Sequence, residues 1–393
     1  MKKDPVKLIW LFMGSLIVNT GISFIWPLTT IYMHEYLHEP LTVAGIVLLI
    51  NSTFTVIGNF LGGWLFDHWR PYQTISIGVI LSTVSAGLLI FFHGWPTYAF
   101  LLITIGLGNG IVNTGINSTA TLIKSKHPSY VFNVLYFTSN LGLVFGSLMV
   151  GFILPLGIVY IFSLAFILFV IFSAIILTQY HGLNAAKREV KENRGLKVEG
   201  VNKTFDKVGI VFVLICLFTA WIAYEQWQSN ISTYMLSLGM SVQSYSLLWT
   251  LNAIMIVAIQ PIMTHFDDFF SKHLRARLYI GFLMCAVAFL SLTHATHYIA
   301  FITSMATLTL GEIVAFPAVS TFVNERASVL EKGKYQGYVM ATASSGRAVG
   351  PLVGALVIET LSYQSLFIVC AALVVLAVLV FYLSGRLKQN QKS

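Results

Sequence analysis

Long apolar segments, each of about 20 residues, recur from one end of the 393-residue chain to the other. A segment of this length can cross the hydrocarbon core of a bilayer as one α-helix. Only 10% of the residues are charged, whereas a soluble domain of ordinary composition carries about 25%. The chain therefore has too little charge to cover a water-facing surface. These features predict an all-α integral membrane protein.

Twelve such segments can be delimited. Their approximate limits are 7–33, 41–66, 73–93, 96–122, 130–154, 157–178, 208–235, 243–265, 275–294, 297–324, 333–359 and 363–384. The first is too long for the core of a signal peptide and lacks a small-residue cleavage pattern, so we expect it to remain as a spanning helix. All three cysteines lie within apolar segments, and we expect no disulfide framework.

The basic residues provide a test of this count. All but one of the 23 Lys and Arg residues lie at the termini, in the predicted loops or at the span ends of one side. The positive-inside rule places that side, and both termini, in the cytoplasm. We therefore attribute the formal net charge of +8 to membrane topology rather than to a nucleic-acid partner. The exception is Arg347, which lies inside the eleventh segment.

The sequence also contains a repeat. One long polar stretch predicts a cytoplasmic linker over 181–207, between a six-helix bundle over 1–180 and a second bundle over 208–393. Corresponding residues lie about 200 positions apart: Asp67 and Asp267, Gly142 and Gly346, Gly146 and Gly350. Halves of six spans each, with both termini inside, are parallel copies related by an axis along the membrane normal. Such an arrangement predicts a substrate site near the midplane.

Two motifs carry a family resemblance. The segment GGWLFDHWRPY resembles the second–third loop signature of the major facilitator superfamily, with Gly63 and Asp67 in matching positions. The segment GRAVGPLVGA, residues 346–355, resembles the Gly-xxx-Gly-Pro-xx-Gly motif of the drug–proton antiporters in that superfamily. The resemblance covers essentially the whole chain. It implies two pseudo-symmetric bundles, alternating access rather than enzymatic catalysis, and a bacterial cell membrane.

The glycine motifs also have a physical reason. Small residues four apart let two helices approach closely in a membrane, and a proline permits a bend. The candidate packing residues are Gly142, Gly146, Gly346, Gly350 and Pro351.

Polar and aromatic side chains recur at helical spacing in the first, fourth, seventh and tenth segments. A helix that faces only lipid should be apolar all round, so we expect these four to line a cavity. The candidate cavity residues are Asn19, Trp26, Asn109, Asn113, Asn117, Trp221, Gln228, Thr309 and Phe316. Such a lining can hold lipophilic and cationic compounds by stacking and cation–π contact. For any single residue, helix–helix packing is the competing explanation.

Three ionisable residues are predicted at membrane depth: Glu225, Glu312 and Arg347. Charges at this depth are costly and usually functional. Arg347 needs an anion, so we expect it to pair with Glu312 or to act as a counter-charge for Glu225 and the substrate. Glu225 is the candidate proton carrier, because an apolar cavity lets a carboxyl group exchange protons near neutral pH. A permanent Glu312–Arg347 lock is the alternative.

Asp67, Arg70 and Asp267 lie at or next to the predicted cytoplasmic ends of spans. We interpret them as gate residues whose carboxylates pair with loop cations or helix N-termini. A merely solvated role is the alternative.

These features favour a proton-coupled exporter of lipophilic or cationic small molecules, working as a monomer with no cofactor and no metal. The expected partners are the substrate, protons and the lipid bilayer. The alternative is a proton-coupled or facilitative transporter of one specific solute, such as a nutrient, a metallophore or a lipid.

A remote alternative is an intramembrane zinc metalloprotease. The stretch from His34 to His38 matches the H-E-x-x-H pattern, which needs a stable helix and a third ligand. Pro40 follows closely, so we favour an outer loop.

Overall fold

The structure, a computed structural model, describes residues 4–25, 28–29, 32–195 and 206–390. The regular elements of these residues are helices. The α-helices, in chain order, are α1 (Leu8–Ser23), α2 (Leu41–His68), α3 (Pro71–Phe91), α4 (Thr97–Ala120), α5 (Pro128–Ile153), α6 (Ile158–Gln179), α7 (Gly182–Gly195), α8 (Lys207–Ser229), α9 (Ile231–Ser237), α10 (Val242–His265), α11 (Asp267–Lys272), α12 (Leu274–Leu292), α13 (Tyr298–Arg326), α14 (Lys332–Thr360) and α15 (Tyr363–Asn390). A π-helical turn, Tyr32–Tyr36, and a 3-10 turn, Leu154–Leu156, are also present.

Within the described residues, eleven helices are long and apolar enough to cross a membrane. They correspond to the predicted second to twelfth spans, so the all-α membrane fold is confirmed. The predicted first span contains the shorter apolar helix α1, of 16 residues. Helix α1 ends at Ser23, four residues before Pro27, whose ring disfavours helical backbone in the preceding turn.

The predicted seventh span is divided in the structure. Helix α8 ends at Ser229 and α9 begins at Ile231. The Asn230 side-chain amide donates to Gln226 Oε1 at 2.7 Å and to Ser229 Oγ at 3.1 Å. Local side-chain hydrogen bonds of this kind compete with the backbone ladder, which is a physical reason for the break.

Several helices begin where the sequence supplies a start signal. The Asp206 side chain accepts a hydrogen bond from the Gly209 backbone N–H, and Ser241 accepts from that of Ser244. Each satisfies a backbone donor that has no partner inside the helix. Helices α3 and α5 begin with Pro71 and Pro128, a position where the missing proline N–H costs nothing.

The chain divides into two compact units. The first contains residues 1–204 and 328–341, and the second contains residues 205–327 and 342–393. Helix α14 therefore contributes residues 332–341 to the first unit and 342–360 to the second. The bundle limits at 180 and 208 stay a prediction. Residues 182–195 of the predicted linker form helix α7.

The two units share one order of helix neighbours. In the first unit α2 and α3 contact α4, α3 contacts α6, and α1 contacts α5 and α6. In the second unit α10 and α12 contact α13, α12 contacts α15, and α8 contacts α15 and α14. The second pattern is the first displaced by six spans, as the pseudo-symmetric repeat predicts. Large buried aromatic side chains, including Phe162, Phe169 and Phe172, fill the first unit.

Candidate functional site

Two glycines bring helix α14 against helix α8 in the second unit. A Cβ atom on Gly346 would lie 2.6 Å from Trp221 Cβ, and one on Gly350 would lie 2.8 Å from Glu225 Cβ. Neither position has space for a side chain, so the close approach requires glycine. Gln226, which is fully buried, donates to the Gly350 carbonyl oxygen at 2.8 Å. Their role in helix packing stays a prediction, and this geometry is what it would require.

Arg347 lies between these two glycines on α14. Its guanidinium carbon lies 4.4 Å from the centre of the Trp221 ring, and Nη2 donates to Ser344 Oγ at 3.2 Å. Glu225 is close enough for its charge to interact with that of Arg347. The Glu225 side chain is buried, and its Oε2 atom has no hydrogen-bond partner in the described part of the chain. Buried polar atoms in proteins normally have one.

Other aromatic rings contact the Trp221 ring. The Trp221 ring centre lies 4.9 Å from that of Phe316 and 5.1 Å from that of Tyr224. Tyr224 also lies edge-on to Trp249 at 6.0 Å. We refer to Trp221, Tyr224, Glu225, Phe316 and Arg347 as the Glu225 cluster.

Glu312 lies in a hydrogen-bonded network beside this cluster. Asn252 Nδ2 donates to Glu312 Oε2 at 3.1 Å and to Thr309 Oγ1 at 2.9 Å. The Tyr224 side chain also hydrogen-bonds Glu312. Glu312 and Thr309 are buried. Two carboxyl groups of the second unit thus have different surroundings: Glu312 accepts from neutral donors, and Glu225 retains an unused oxygen.

A second cluster of buried charge lies in the first unit. Lys187 Nζ forms an ion pair with Asp67 Oδ1, and both side chains are almost completely buried. The backbone N–H groups of Gly333 and Lys334 donate to the two Asp67 oxygens at 3.2 and 2.6 Å. Lys187 also donates to the Leu330 carbonyl oxygen at 3.1 Å. We call this set the Asp67 cluster.

Helix α7 supplies Lys187, and two more of its side chains reach other loops. Asn184 accepts from the Tyr72 backbone N–H at 3.1 Å and donates to Gln73 Oε1 at 2.8 Å. Glu189 forms an ion pair with Lys124 at 3.0 Å. Helix α7 is therefore held at the ends of α3 and α4 as well as at Asp67.

The other predicted gate residues lie elsewhere. Arg70 is exposed, in the position before helix α3. Asp267 is buried at the start of α11, and its charge acts on the buried Arg277. Arg277 Nε donates to the Val314 carbonyl oxygen at 2.7 Å. Both predicted carboxylates thus have cations nearby, but Lys187 rather than Arg70 is the partner of Asp67 in the structure.

Three of the predicted cavity residues, Asn109, Asn113 and Asn117, form a hydrogen-bonded series along α4. Asn113 Nδ2 donates to Asn109 Oδ1 at 2.8 Å, and Asn117 Nδ2 donates to the Asn113 carbonyl oxygen at 2.9 Å and to Met340 Sδ at 3.5 Å. Asn19 donates to the Ser15 carbonyl oxygen at 2.8 Å. Trp26 lies outside the described residues.

Glycines also set the contact between α1 and α5. A Cβ atom on Gly142 would lie 2.6 Å from the Leu16 carbonyl oxygen, and one on Gly146 would meet Ser23 and Thr20. This contact is the counterpart of the α8–α14 contact in the second unit.

In the second unit the predicted cavity residues Trp221 and Phe316 are in ring contact. Gln228 is exposed, and it is Gln226 that forms the buried hydrogen bond to the Gly350 carbonyl oxygen. Sequence reasoning missed Asn252 and Tyr224, although an amide in the middle of an apolar segment could have indicated Asn252. It also missed Lys187. Leu183, Ala186 and Lys187 are buried on one side of α7, with Val190 partly buried. Their helical spacing was the available signal.

The H-E-x-x-H stretch does not adopt the geometry of a zinc protease. The π-helical turn ends at Tyr36, and His38 follows with a left-handed φ of 56°. The two histidines therefore do not share one continuous helix face. Across the residues that the structure describes, no group of three or more His, Cys, Asp or Glu side chains could hold a metal ion.

Ionisable side chains buried among apolar spans, with a six-span repeat, are typical of a membrane transporter. The Major Facilitator Superfamily model matches residues 11–330 and 315–393. The chain belongs to the major facilitator superfamily, and is thus a multi-pass secondary transporter of small molecules rather than an enzyme.

Similar proteins agree with this assignment. The MFS-type transporter YttB of Bacillus subtilis strain 168 is 33% identical over 374 residues, covering 95% of this chain and 94% of YttB. A Na⁺, Li⁺, K⁺/H⁺ antiporter of Planococcus maritimus is 28% identical over 141 residues, 34% of this chain and 33% of its own length. The human organic anion transporter MFSD10 has the same fold, with a TM-score of 0.76 at 14% identity over 97% of this chain and 100% of its own.

Proposed function

We propose that the chain is a proton-coupled exporter of lipophilic and cationic small molecules, with Glu225 as the proton carrier. The observation that carries the proposal is the buried Glu225 carboxyl group, whose Oε2 atom has no hydrogen-bond partner among the described side chains. Burial disfavours the ionised carboxylate, whereas a nearby guanidinium favours it. A carboxyl group under these opposing influences can change its protonation state with its surroundings.

The surroundings of Glu225 also suit the proposed substrates. Trp221, Phe316 and Tyr224 present ring surfaces at 4.9 to 6.2 Å from one another. Aromatic surfaces take up apolar bodies by stacking and attract cations through the ring face. Protonation of Glu225 removes the carboxylate that attracts a cationic substrate, so proton uptake promotes substrate release. Deprotonation restores the attraction.

The Asp67 cluster serves as the gate in this proposal. For this gate to open, the Gly333 and Lys334 backbone N–H groups must break their hydrogen bonds to the Asp67 carboxylate. The distribution of Lys and Arg supports a cytoplasmic location for this gate and for both termini. The chain works as a monomer in a bacterial cell membrane. A relative named as a cation/proton antiporter, similar over 34% of this chain, supports proton coupling.

Proteoliposomes with an imposed proton gradient test the proposal. The transport of ethidium, a fluorescent lipophilic cation, is followed for the wild type and for Glu225→Gln. We expect gradient-driven movement in the wild type and a rate near that of protein-free liposomes in the variant. The matched control is Glu359→Gln, the same change at an exposed carboxylate near the end of α14, and it should retain the wild-type rate.

Two outcomes would contradict the proposal. Equal rates in the wild type and Glu225→Gln would remove Glu225 as the proton carrier. No gradient-driven movement of the cation in the wild type would favour a transporter of one specific solute.

A further inference from the structure

The Arg347 guanidinium occupies the face of an aromatic ring in the second unit. Its central carbon lies 4.4 Å from the centre of the Trp221 ring. Gly346 and Gly350 allow this, because they let α14 lie directly against the Trp221 and Glu225 side chains where these leave α8. One cation, one aromatic face and one carboxylate are thus assembled by a single helix contact.

The Glu225 cluster has the chemical features of a cation-binding site. Phe316 and Tyr224 lie around the Trp221 ring at 4.9 and 5.1 Å. Sets of aromatic faces bind quaternary and other delocalised cations. Glu225 is 6% exposed, and its Oε2 atom has no hydrogen-bond partner in the described chain. A buried oxygen with no partner in the described chain is available to accept a hydrogen bond or a positive charge from a ligand.

We propose that the Arg347 guanidinium and the positive charge of the substrate compete for the face of the Trp221 ring, so that substrate binding displaces the guanidinium from it. The substrate is then a lipophilic monocation with a shielded or delocalised charge, such as an aryl phosphonium or quaternary ammonium compound. This inference rests on the proposed export function and assigns the charge of its substrate and the place where that charge binds.

Displacement requires another position for the guanidinium. Ser344 Oγ accepts from Arg347 Nη2 at 3.2 Å, and Ser344 lies one turn earlier on the same helix. This hydrogen bond involves neither Trp221 nor Glu225. The guanidinium can therefore leave the ring while it keeps a contact on its own helix, and the substrate charge takes its place between the ring and the carboxylate.

An anionic substrate bound to Arg347 is the opposing idea. Such an anion would lie beside the Glu225 carboxylate, whose charge interacts with Arg347, and would meet the negative faces of the Trp221 and Phe316 rings. Both contacts repel an anion and attract a cation. Once the guanidinium has left the ring, the position between the ring and the carboxylate therefore favours a cation as the ligand.

The test compares two probes of equal shape and opposite charge, tetraphenylphosphonium and tetraphenylborate. Equilibrium binding to the purified full-length chain is measured at fixed pH without a gradient. Arg347→Met keeps the length of the side chain and removes its charge. We expect it to tighten tetraphenylphosphonium binding about 2- to 5-fold, the range of a cation–π contact that no longer competes. Tetraphenylborate binding should not tighten.

Further variants separate displacement from structural damage. Trp221→Leu should weaken tetraphenylphosphonium binding, and Arg347→Met added to it should give no further tightening, because the contested ring is absent. Arg347→Lys, which keeps the charge, should stay near the wild type. Trp69→Leu, at an exposed tryptophan of the first unit, is the control and should change neither probe.

Weaker or unchanged tetraphenylphosphonium binding in Arg347→Met would overturn the inference. A wild type that prefers tetraphenylborate, and loses it in Arg347→Met, would identify Arg347 as an anion receptor instead. These measurements need no gradient, so they are independent of proton coupling. Gradient-driven transport with a negative binding result would remove this inference and leave the proposed function.

Discussion

The Asp67 and Glu225 clusters both contain a buried carboxylate and a basic side chain, but they differ in how completely the carboxylate is satisfied. Asp67 accepts hydrogen bonds on both oxygens, from Lys187 and from two backbone N–H groups. Glu225 has the Arg347 charge nearby, and its Oε2 atom accepts no hydrogen bond from the described residues.

This difference separates a proposed gate contact, held closed by several donors, from a carboxyl group that can exchange its proton or its ligand. A buried charge with all its donors in place is costly to disturb, because removing one partner leaves the other uncompensated. A carboxyl group with an unused oxygen has fewer hydrogen bonds to break, so gaining or losing a proton or a ligand costs it less free energy. The comparison therefore assigns stability to the Asp67 cluster and chemical change to the Glu225 cluster.

The largest predicted effect is on the Asp67 side. Lys187→Met leaves a buried carboxylate without its cation and should lower the free energy of unfolding by about 3 kcal/mol. Thermal unfolding of the purified protein, followed by circular dichroism, measures the change. Lys191→Met, at an exposed position of the same helix, is the matched control. An Asp67→Asn/Lys187→Met double variant should recover part of the loss. A Lys187→Met protein as stable as the control would show that the pair does not stabilise the fold.

A smaller effect is expected where α14 contacts α8. Gly350→Ala places a Cβ atom 2.8 Å from Glu225 Cβ, so the helices must separate, at a cost of about 1–3 kcal/mol. The separation should also reduce proton-driven transport. Gly45→Ala is the control, because a Cβ atom there meets nothing within 4 Å. Equal stability and transport in the two variants would mean that the contact is not tight in the working protein.

The smallest stability effect should occur at Glu225 itself. Glu225→Gln changes a group whose Oε2 atom makes no hydrogen bond within the described chain, so the free energy of unfolding should change by less than about 1 kcal/mol. Chemical denaturation measures this for the variant that is expected to lose transport. A loss as large as that of Lys187→Met would remove the distinction between the two clusters.

The sequence was sufficient for features that depend on local pattern. Length and hydropathy located the second to sixth and the eighth to twelfth spans within a few residues. The glycine spacing predicted close helix contacts, and α14 lies against α8 at Gly346 and Gly350. The coupling roles that depth suggested for Glu225, Glu312 and Arg347 stay predictions. Each of these follows from the chemistry of one helix in a membrane.

Features that depend on partners were harder to predict. Asp67 was identified from its motif, but its cation lies 120 residues later in the chain, and Arg70, next to it in sequence, is exposed in the structure. The break at Asn230 depends on side-chain hydrogen bonds to Gln226 and Ser229, which compete with a strongly apolar helix pattern. Hydropathy does not register this competition.

Helix α7 has a consequence for how the chain can be cut in two. By sequence, the first repeat ends near residue 180 and a connecting segment follows. Yet Asn184, Lys187 and Glu189 hold three separate places of the first unit. If the protein is produced as two co-expressed fragments, the cut belongs after Gly195 and not at the end of α6. A fragment without α7 would expose the Asp67 carboxylate and the surfaces that this helix covers.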